Sequence, residues 1–341
     1  MTTERTAENL PWVEKYRPST LTQIQGQTST VTTIRKFVHE GKLPHLLFYG
    51  PPGTGKTSTI LALAHEIYGP NYKNMVLELN ASDDRGIDVV RNQIKNFAST
   101  QQIFARGFKL IILDEADAMT NVAQNALRRI IEKYTKNTRF CILANYAHKL
   151  NPALLSRCTR FRFSPLEESA IRAQLEKVII KEHLSINEEA MSSLIKLSGG
   201  DMRRGLNVLQ ACKAATSGSG STDSMDPVEV SRDMVYECIG APHPADIETI
   251  FDSVLNDDWS TAIKTMMEIK RVKGLALIDL LQGFVEILGN YQLNSKARIH
   301  VLKKLAEIEY AISRGGNEKV QCSATIGVMK EAMLIQAGAS Q

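Results

Sequence analysis

The feature that most constrains this chain is a glycine-rich octapeptide, Gly50-Pro51-Pro52-Gly53-Thr54-Gly55-Lys56-Thr57. It follows a short apolar run and opens a segment with helical spacing, residues 58–68. In a strand–loop–helix unit of this kind, backbone N–H groups and the helix N-terminus surround phosphate oxygens. We therefore expect Lys56 to reach the outer phosphates of a nucleotide and Thr57 to ligate magnesium. The residues expected to hold the phosphates are Gly50, Pro51, Pro52, Gly53, Thr54, Gly55, Lys56, Thr57 and Ser58.

Short apolar runs alternate with helix-like segments around this loop. The predicted strands are residues 45–49, 75–79, 110–113, 140–144 and 159–163. This alternation predicts an α/β domain with a parallel five-stranded sheet. The runs 46–48 and 110–113 are continuously apolar, which is typical of strands covered on both faces.

Polar residues follow two of these strands. Asp114 and Glu115 end the run 110–113, and Asn145 ends the run 140–144. We expect Asp114 to hold magnesium and Glu115 to orient or deprotonate an attacking water. Asn145 should lie at the same sheet edge, within reach of the terminal phosphate or the water. A helix N-cap and a strand-ending turn are the structural alternatives for these positions.

The remainder of the chain shows helical spacing and no strand pattern after Pro165. Helices are predicted over 167–182, 187–197 and 201–216, with Asp201 capping the last. Residues 217–227 are predicted to form a flexible linker or a long loop. The predicted domains are a nucleotide-binding domain over 1–165, a small helical domain with its linker over 166–226, and an all-α domain over 227–341.

Composition excludes several other classes of protein. The 41 Lys and Arg against 37 Asp and Glu leave a net charge of +4, which neither demands nor forbids a nucleic-acid partner. The longest apolar stretches are far below the roughly 18 residues of a membrane span. The first ten residues lack the features of a secretory signal or a transit peptide, so we expect the cytosol or the nucleus. Five scattered cysteines fit reduced thiols better than a disulfide framework or a zinc site.

Together these residues resemble the AAA+ ATPases, and among them the clamp loaders. The motifs that carry the resemblance are Gly50 to Thr57, Asp114-Glu115-Ala116-Asp117, Asn145, Ser156-Arg157-Cys158 and Gly200-Asp201-Met202-Arg203. The opening Leu10-Pro11-Trp12-Val13-Glu14-Lys15-Tyr16-Arg17-Pro18 resembles the start of replication factor C small subunits. The resemblance covers essentially the whole chain. It implies a sheet domain, a helical lid and a helical collar.

The activity implied by this resemblance is ATP hydrolysis within a heteropentamer. Its partners would be one large and three other small subunits, a sliding clamp and primer-template DNA, with ATP and Mg²⁺ as cofactors, in the nucleus. Such a complex opens the clamp and loads it during DNA replication and repair. No membrane partner is expected.

The resemblance also assigns roles to residues of the nucleotide site. It places Val13, Tyr16, Arg17 and Pro18 in the adenine pocket. One departure lies nearby, where Ile24-Gln25-Gly26-Gln27 stands in place of a Val-Gly-Gln pattern, and it affects only the expected shape of that pocket.

Further roles concern hydrolysis. Asn145 would be the first sensor and Arg203 the second, although the neighbouring Arg204 is an alternative. Arg157 resembles the arginine finger that acts in trans on ATP held by a neighbouring subunit, a role that suits a planar guanidinium. Asn80 resembles the polar switch residue that restrains the catalytic Glu115.

DNA and clamp contacts are predicted on two further segments. Arg85 and Arg91 can share a broad helix face that would follow a DNA backbone, with Lys149 as a third contact. A solvated basic face is the alternative. Gln101, Ile103 and Phe104 lie where the family docks on its clamp, although Ile103 and Phe104 could instead belong to the core.

Three other functions would share parts of this pattern. A hexameric AAA+ motor acting on DNA or protein would share the nucleotide site but not the collar-like C-terminal block. A scaffold that holds ATP without turnover would not need Glu115. A metabolic P-loop kinase explains neither Arg157 nor the helical tail.

Overall fold

A computed structural model describes residues 10–81, 87–100, 107–217 and 228–338, with the side chains of 87–91, 216–217 and 228 left out. The chain forms two compact units, the first ending at Val230 and the second beginning at Ser231. Of the predicted sites, Arg85, Gln101, Ile103 and Phe104 lie outside the described residues, as does the side chain of Arg91. Nearly all of the predicted linker also lies outside them.

The first unit contains the predicted sheet. Its strands are β1 (Leu46–Tyr49), β2 (Val76–Asn80), β3 (Lys109–Asp114), β4 (Thr138–Ala144) and β5 (Thr159–Arg162). All are parallel, in the order β2-β3-β4-β1-β5. The prediction of a parallel five-stranded α/β domain is confirmed, and each predicted strand agrees with the structure to within about two residues.

Ten helices accompany the strands in the described part of this unit. They are α1 (Trp12–Lys15), α2 (Thr28–His39), α3 (Lys56–Tyr68), α4 (Tyr72–Met75), α5 (Ile87–Ser99), α6 (Asn121–Tyr134), α7 (Pro152–Leu155), α8 (Glu168–Lys181), α9 (Glu188–Ser198) and α10 (Met202–Ser217). Short 3-10 turns cover Leu21–Gln23, Gly69–Asn71, Ala116–Ala118 and Ala147–Lys149.

Both faces of the sheet are covered, as the continuous apolar runs predict. Leu46 and Phe48 pack on one face with buried residues of α2 and α3, such as Ile34 and Leu63. The intervening Leu47 packs on the other face with residues of α5, α6 and α7. Because side chains alternate along a strand, every second residue of β1 serves a different core.

The carboxyl edge of the sheet determines where the site lies. Asn80 pairs with Asp114 across β2 and β3, and Tyr49 pairs with Ala144 across β1 and β4. The residues that follow these strands, Gly50 and Asn145, therefore emerge at the same sheet edge as Asp114. Parallel α/β sheets generally bind ligands at this edge.

Helices α8, α9 and α10 follow β5, and Asp201 caps α10 by accepting the N–H groups of Arg203 and Arg204 at 2.8 and 3.3 Å. The expectation that no strand follows Pro165 is wrong. β6 (Leu184–Ile186) and β7 (Val228–Val230) form a small parallel sheet. Three-residue strands are too short for their alternation to stand out in a sequence, and this pairing joins segments 44 residues apart. A domain boundary near residue 165 stays a prediction.

The second unit is helical throughout its described residues. Its helices are α11 (Arg232–Ile239), α12 (Pro244–Asn256), α13 (Trp259–Lys273), α14 (Leu277–Asn290), α15 (Ser295–Ser313) and α16 (Glu318–Gly338). They enclose a core that includes Ile250, Met266, Phe284, Val301 and Ile326. Across the described residues, no helix combines the length and the apolar composition that a membrane span requires.

Candidate nucleotide-binding site

A pocket in the first unit gathers predicted residues from five parts of the chain. They are the opening segment, the glycine-rich loop, the ends of β3 and β4, and α10. The predicted residues that line it are Val13, Tyr16, Arg17, Pro18, Pro52, Gly53, Thr54, Gly55, Lys56, Thr57, Ser58, Asp114, Glu115, Asn145 and Arg203. Gly50 and Pro51 contribute backbone carbonyls to the network beneath it.

Lys56 lies at the centre of this network and is buried. Its Nζ donates to the carbonyl oxygens of Gly50 and Pro51 at 2.7 and 2.8 Å, and to Oδ1 of Asn145 at 2.9 Å. Burial lowers the pKa of Lys56 to about 8; nearby Asp114 opposes this shift and Arg203 adds to it. A cation with little access to water is ready to exchange these neutral acceptors for phosphate oxygens.

Two oxygen ligands for a hard cation lie next to the loop. Thr57 Oγ1 donates to Asp114 Oδ2 at 3.0 Å, so both oxygens sit on one side of the pocket. Magnesium is bound in proteins by one or two such oxygens together with waters and substrate phosphates. These residues therefore fit a magnesium ion that accompanies a nucleotide.

Glu115 occupies a strained position directly after Asp114. Its φ is 53°, in the left-handed region that few residues other than glycine adopt. Its N–H donates to the Asp114 carboxylate at 2.8 Å, and its side chain is exposed at the pocket wall. Backbone strain of this kind concentrates at functional sites.

Asp117 holds the loop after β4. Its two carboxylate oxygens accept the N–H groups of Asn145 and Tyr146, each at 3.3 Å. Asp117 belongs to the Asp114-Glu115-Ala116-Asp117 motif, but the sequence alone predicts no role for it. These bonds hold the backbone N–H of Asn145 close to the segment that carries Asp114 and Glu115.

The start of α10 contacts the glycine-rich loop. The N–H of Met202 donates to the carbonyl of Gly53 at 3.3 Å. Gly53 has φ +66°, and a Cβ there would lie 1.6 Å from Asp201 Oδ1, so only glycine fits. Of the two neighbouring arginines, Arg203 lines the pocket.

Arg157 lies outside the pocket lining. Its guanidinium forms an ion pair with Glu132 and donates to the carbonyl of Ala153 at 2.5 Å. Its side chain is 34% exposed, so it is accessible to another molecule. Its predicted role concerns a neighbour's nucleotide and not its own.

Lys149 lies on an exposed turn whose geometry depends on Gln124. The Nζ of Lys149 lies 4.8 Å from the centre of the Tyr146 ring. Gln124 on α6 is buried and donates to the carbonyls of Met119 and Lys149, each at 3.1 Å, while it accepts the N–H of Asn151 at 2.7 Å. The sequence showed no signal for this glutamine, because only the fold brings its partners together.

Comparisons with known proteins agree with this architecture. Residues 46–166 match the model of the ATPase family associated with various cellular activities, and residues 242–328 match that of the replication factor C C-terminal domain. The chain is 65% identical over 330 residues to replication factor C subunit 3 of Saccharomyces cerevisiae, covering 96% of this chain and 95% of that protein. The chain belongs to the replication factor C family.

Other members show similar agreement. Replication factor C subunit 3 of Schizosaccharomyces pombe is 54% identical, with 94% of this chain and 91% of that protein covered. The human replication factor C subunit 5 is 52% identical, with 94% and 92% covered. As a replication factor C small subunit, the chain is an AAA+ ATPase of the clamp-loader class and binds a nucleotide.

A solved structure of a RuvB mutant from Thermotoga maritima shares the fold, with a TM-score of 0.53 at 15% identity over 76% of this chain and 88% of that one. This likeness concerns the fold alone. A shared fold does not indicate a shared function, so this likeness does not favour the alternative function of a hexameric motor.

The replication factor C pocket also contains residues for which the sequence analysis assigned no role. They are Gln23, Leu166, Gln174, Met202 and Leu206. Leu206 lies one helical turn after Arg203, a spacing that could have predicted it. Met202 is the first residue of α10. Gln23, Leu166 and Gln174 come from a 3-10 turn, from the connection after β5 and from α8, and no local pattern marks them.

Proposed function

We propose that this replication factor C subunit binds and hydrolyses ATP in the pocket around Lys56. The observation that supports this most strongly is the convergence of Lys56, Thr57, Asp114, Glu115 and Asn145 on one sheet edge. These are the groups that transfer of a phosphoryl group to water requires: a phosphate cation, oxygen ligands for magnesium, a carboxylate base and a polar sensor.

Each residue has a distinct part in this chemistry. Thr57 and Asp114 would hold Mg²⁺, which when bound neutralises charge on the phosphates. Lys56 compensates charge on the outer phosphates. The carboxylate of Glu115 would orient the attacking water and accept its proton as the bond to the terminal phosphorus forms and the bond from that phosphorus to the leaving ADP oxygen breaks. Catalysis then comes from position and charge, without a covalent intermediate.

Arg157 would complete the site of a neighbouring subunit. Its exposed guanidinium can exchange Glu132 for phosphate oxygens across an interface and stabilise the charge that develops during transfer. Hydrolysis would thereby require assembly. The partners we propose are the other replication factor C subunits, a sliding clamp and primer-template DNA in the nucleus.

Contacts to DNA and clamp are assigned to separate segments. Arg85, Arg91 and Lys149 would bind phosphates without reading bases, which makes binding sensitive to salt. Gln101, Ile103 and Phe104 would dock on the clamp. ATP binding would open the clamp at a primer-template junction, and hydrolysis would release it closed.

Two variants test the ATPase assignment in the assembled complex. Glu115→Gln should retain ATP binding by this subunit and remove its share of hydrolysis. Arg157→Ala should retain binding in its own pocket and lower the ATPase rate of the complex. Arg172→Ala is the matched control, because Arg172 also pairs with an exposed glutamate, Glu188, but has no proposed role in hydrolysis. An unchanged ATPase rate with Arg157→Ala would show that its role in trans is wrong.

Clamp loading separates an active subunit from a scaffold. If Glu115→Gln left clamp loading unchanged, a subunit that holds ATP without turnover would be favoured. Native mass spectrometry of the complex captured through a tagged copy tests assembly, for which we expect one copy among four different partners. Six identical copies would contradict this and favour a hexameric motor.

A further inference from the structure

One carboxylate outside the pocket joins the opening segment, residues 10–18, to α8 and α10, which together with α9 form the predicted helical lid. Glu182 follows the end of α8 and is only one-tenth exposed. Its Oε1 accepts from Lys15 Nζ at 2.5 Å and from the Tyr16 hydroxyl, and its Oε2 accepts from Lys213 Nζ at 2.7 Å. A single side chain thus contacts α1, the residue after α1, and α10.

Further contacts strengthen this junction. The N–H of Trp12 donates to Gln210 Oε1 on α10 at 3.0 Å, and Lys213 Nζ lies 5.5 Å from the centre of the Trp12 ring. Lys181 Nζ lies 5.6 Å from the centre of the Tyr16 ring. The opening segment is therefore attached to α8 and α10 by hydrogen bonds and by cation–π contacts.

Helix α10 also reaches the phosphate end of the site. Arg203 lines the pocket, and Met202 contacts the loop at Gly53. From Arg203 to Lys213, α10 extends about 15 Å at 1.5 Å per residue. One rigid helix thus connects the residues proposed for the phosphates with the segment that carries Val13, Tyr16 and Arg17 at the other end of the pocket.

We propose that Glu182 is a positioning residue for the base end of the nucleotide. It acts through Tyr16, which lines the pocket and whose hydroxyl donates to the carboxylate. With Glu182 in place, the opening segment stays attached to the lid and the base pocket is formed before the nucleotide arrives. Such preorganisation increases affinity because less ordering remains for binding to accomplish. The proposal rests on the nucleotide site proposed above.

The electrostatics of the junction agree with this role. Burial alone would raise the pKa of Glu182, but hydrogen bonds from Lys15, Lys213 and Tyr16 outweigh it and lower the pKa to about 2. The carboxylate is therefore charged at neutral pH, where ATP binding is measured. A glutamine in its place keeps the shape and removes the charge.

The experiment compares two ligands on the purified full-length chain by titration calorimetry. ATP touches both ends of the pocket, whereas inorganic tripolyphosphate can occupy only the phosphate end. Glu182→Gln should weaken ATP binding by roughly fivefold to tenfold, in the usual range of coupling between sites. It should leave tripolyphosphate binding unchanged. A general loss of structure would weaken both ligands, so equal weakening of both, or no change in either, would overturn the proposal.

Two further variants make the result specific. Glu188→Gln breaks an exposed ion pair of the same lid, with Arg172, and should leave the affinity for both ligands unchanged. Tyr16→Phe keeps the ring in the pocket and removes its bond to Glu182. The double variant, Tyr16→Phe with Glu182→Gln, should weaken ATP binding by less than the sum of the two single effects, because both substitutions remove the same hydrogen bond. Full additivity would refute an action through Tyr16.

Lys56→Ala distinguishes failure of this proposal from failure of the proposed function. It should abolish tripolyphosphate binding. If it does not, the pocket is not the phosphate site and both proposals fail. If it does, and Glu182→Gln behaves like Glu188→Gln, only the positioning role is wrong.

Discussion

The lowered pKa of Lys56 predicts that nucleotide binding weakens in mildly alkaline solution. The amine is buried, and burial is the main reason that its pKa lies at about 8, with Arg203 adding to the shift and Asp114, Asp117 and Asp201 opposing it. Only the protonated amine attracts phosphate. Once phosphates are bound, their charge holds the proton on Lys56, so above pH 8 binding must include uptake of a proton.

The size of the effect follows from this pKa. At pH 7 about nine-tenths of the free sites carry the proton, and at pH 9 about one-tenth do, so affinity should fall about tenfold, or about 1.4 kcal/mol. The ligand does not explain such a loss, since a terminal phosphate with a pKa near 6 only gains negative charge over this range. Tyr16 does not titrate there either, because burial and its bond to Glu182 raise its pKa.

The assay is calorimetric titration of the full-length chain with ATP at half-unit steps of pH and constant ionic strength. Lys56→Arg is the control, because a guanidinium keeps its proton throughout this range. We expect a weaker but flat profile for that variant. A flat profile for the wild type, or the same slope for both proteins, would refute the reasoning.

The remaining predictions concern stability and the loop. Because the pKa of Glu182 falls from 4.5 to about 2 on folding, its contribution of about 3 kcal/mol is present above pH 4.5 and lost as pH falls towards 2. Urea unfolding should therefore separate Glu182→Gln from the wild type at pH 7 and bring the two together near pH 2; a constant difference would contradict this. Gln124→Leu removes the side-chain partner of three partly buried backbone groups and should cost about 1–3 kcal/mol in urea unfolding; a loss below about 0.5 kcal/mol would contradict it. Gly53→Ala brings Cβ against Asp201 and should weaken ATP binding at least about tenfold in calorimetry. Gly41→Ala, with the same φ of +66° but open space, should not weaken it, and equal effects would show that backbone strain alone is responsible.

Much of the fold could be predicted because its signals are local. The runs at Leu46 and Leu110 are apolar on both faces, and the structure places helices on both sides of the sheet there. The glycine-rich loop could also be located from local signals, because an apolar strand directly precedes it and a helical pattern directly follows it. Strand ends at one sheet edge predicted that Asp114 and Asn145 are neighbours, and they line the same pocket.

Other features could not be predicted because they join distant segments. β6 and β7 are short, and neither is recognisable without the other. Gln124 and Asp117 act through backbone groups whose positions depend on the packing of α6 and β4. Roles in trans, in DNA binding and in clamp docking came from the family resemblance, and they stay predictions.

The sequence by itself determined the type of sheet, the loop that surrounds phosphates and the identity of the groups around it, since these depend on residues close together in the chain. Only the tertiary structure decided how the two ends of the pocket are connected. Gly53 meets Asp201 and Tyr16 meets Glu182 across separations of 148 and 166 residues. Such contacts form only when packing of the whole unit has repaid the entropy of closing the intervening chain.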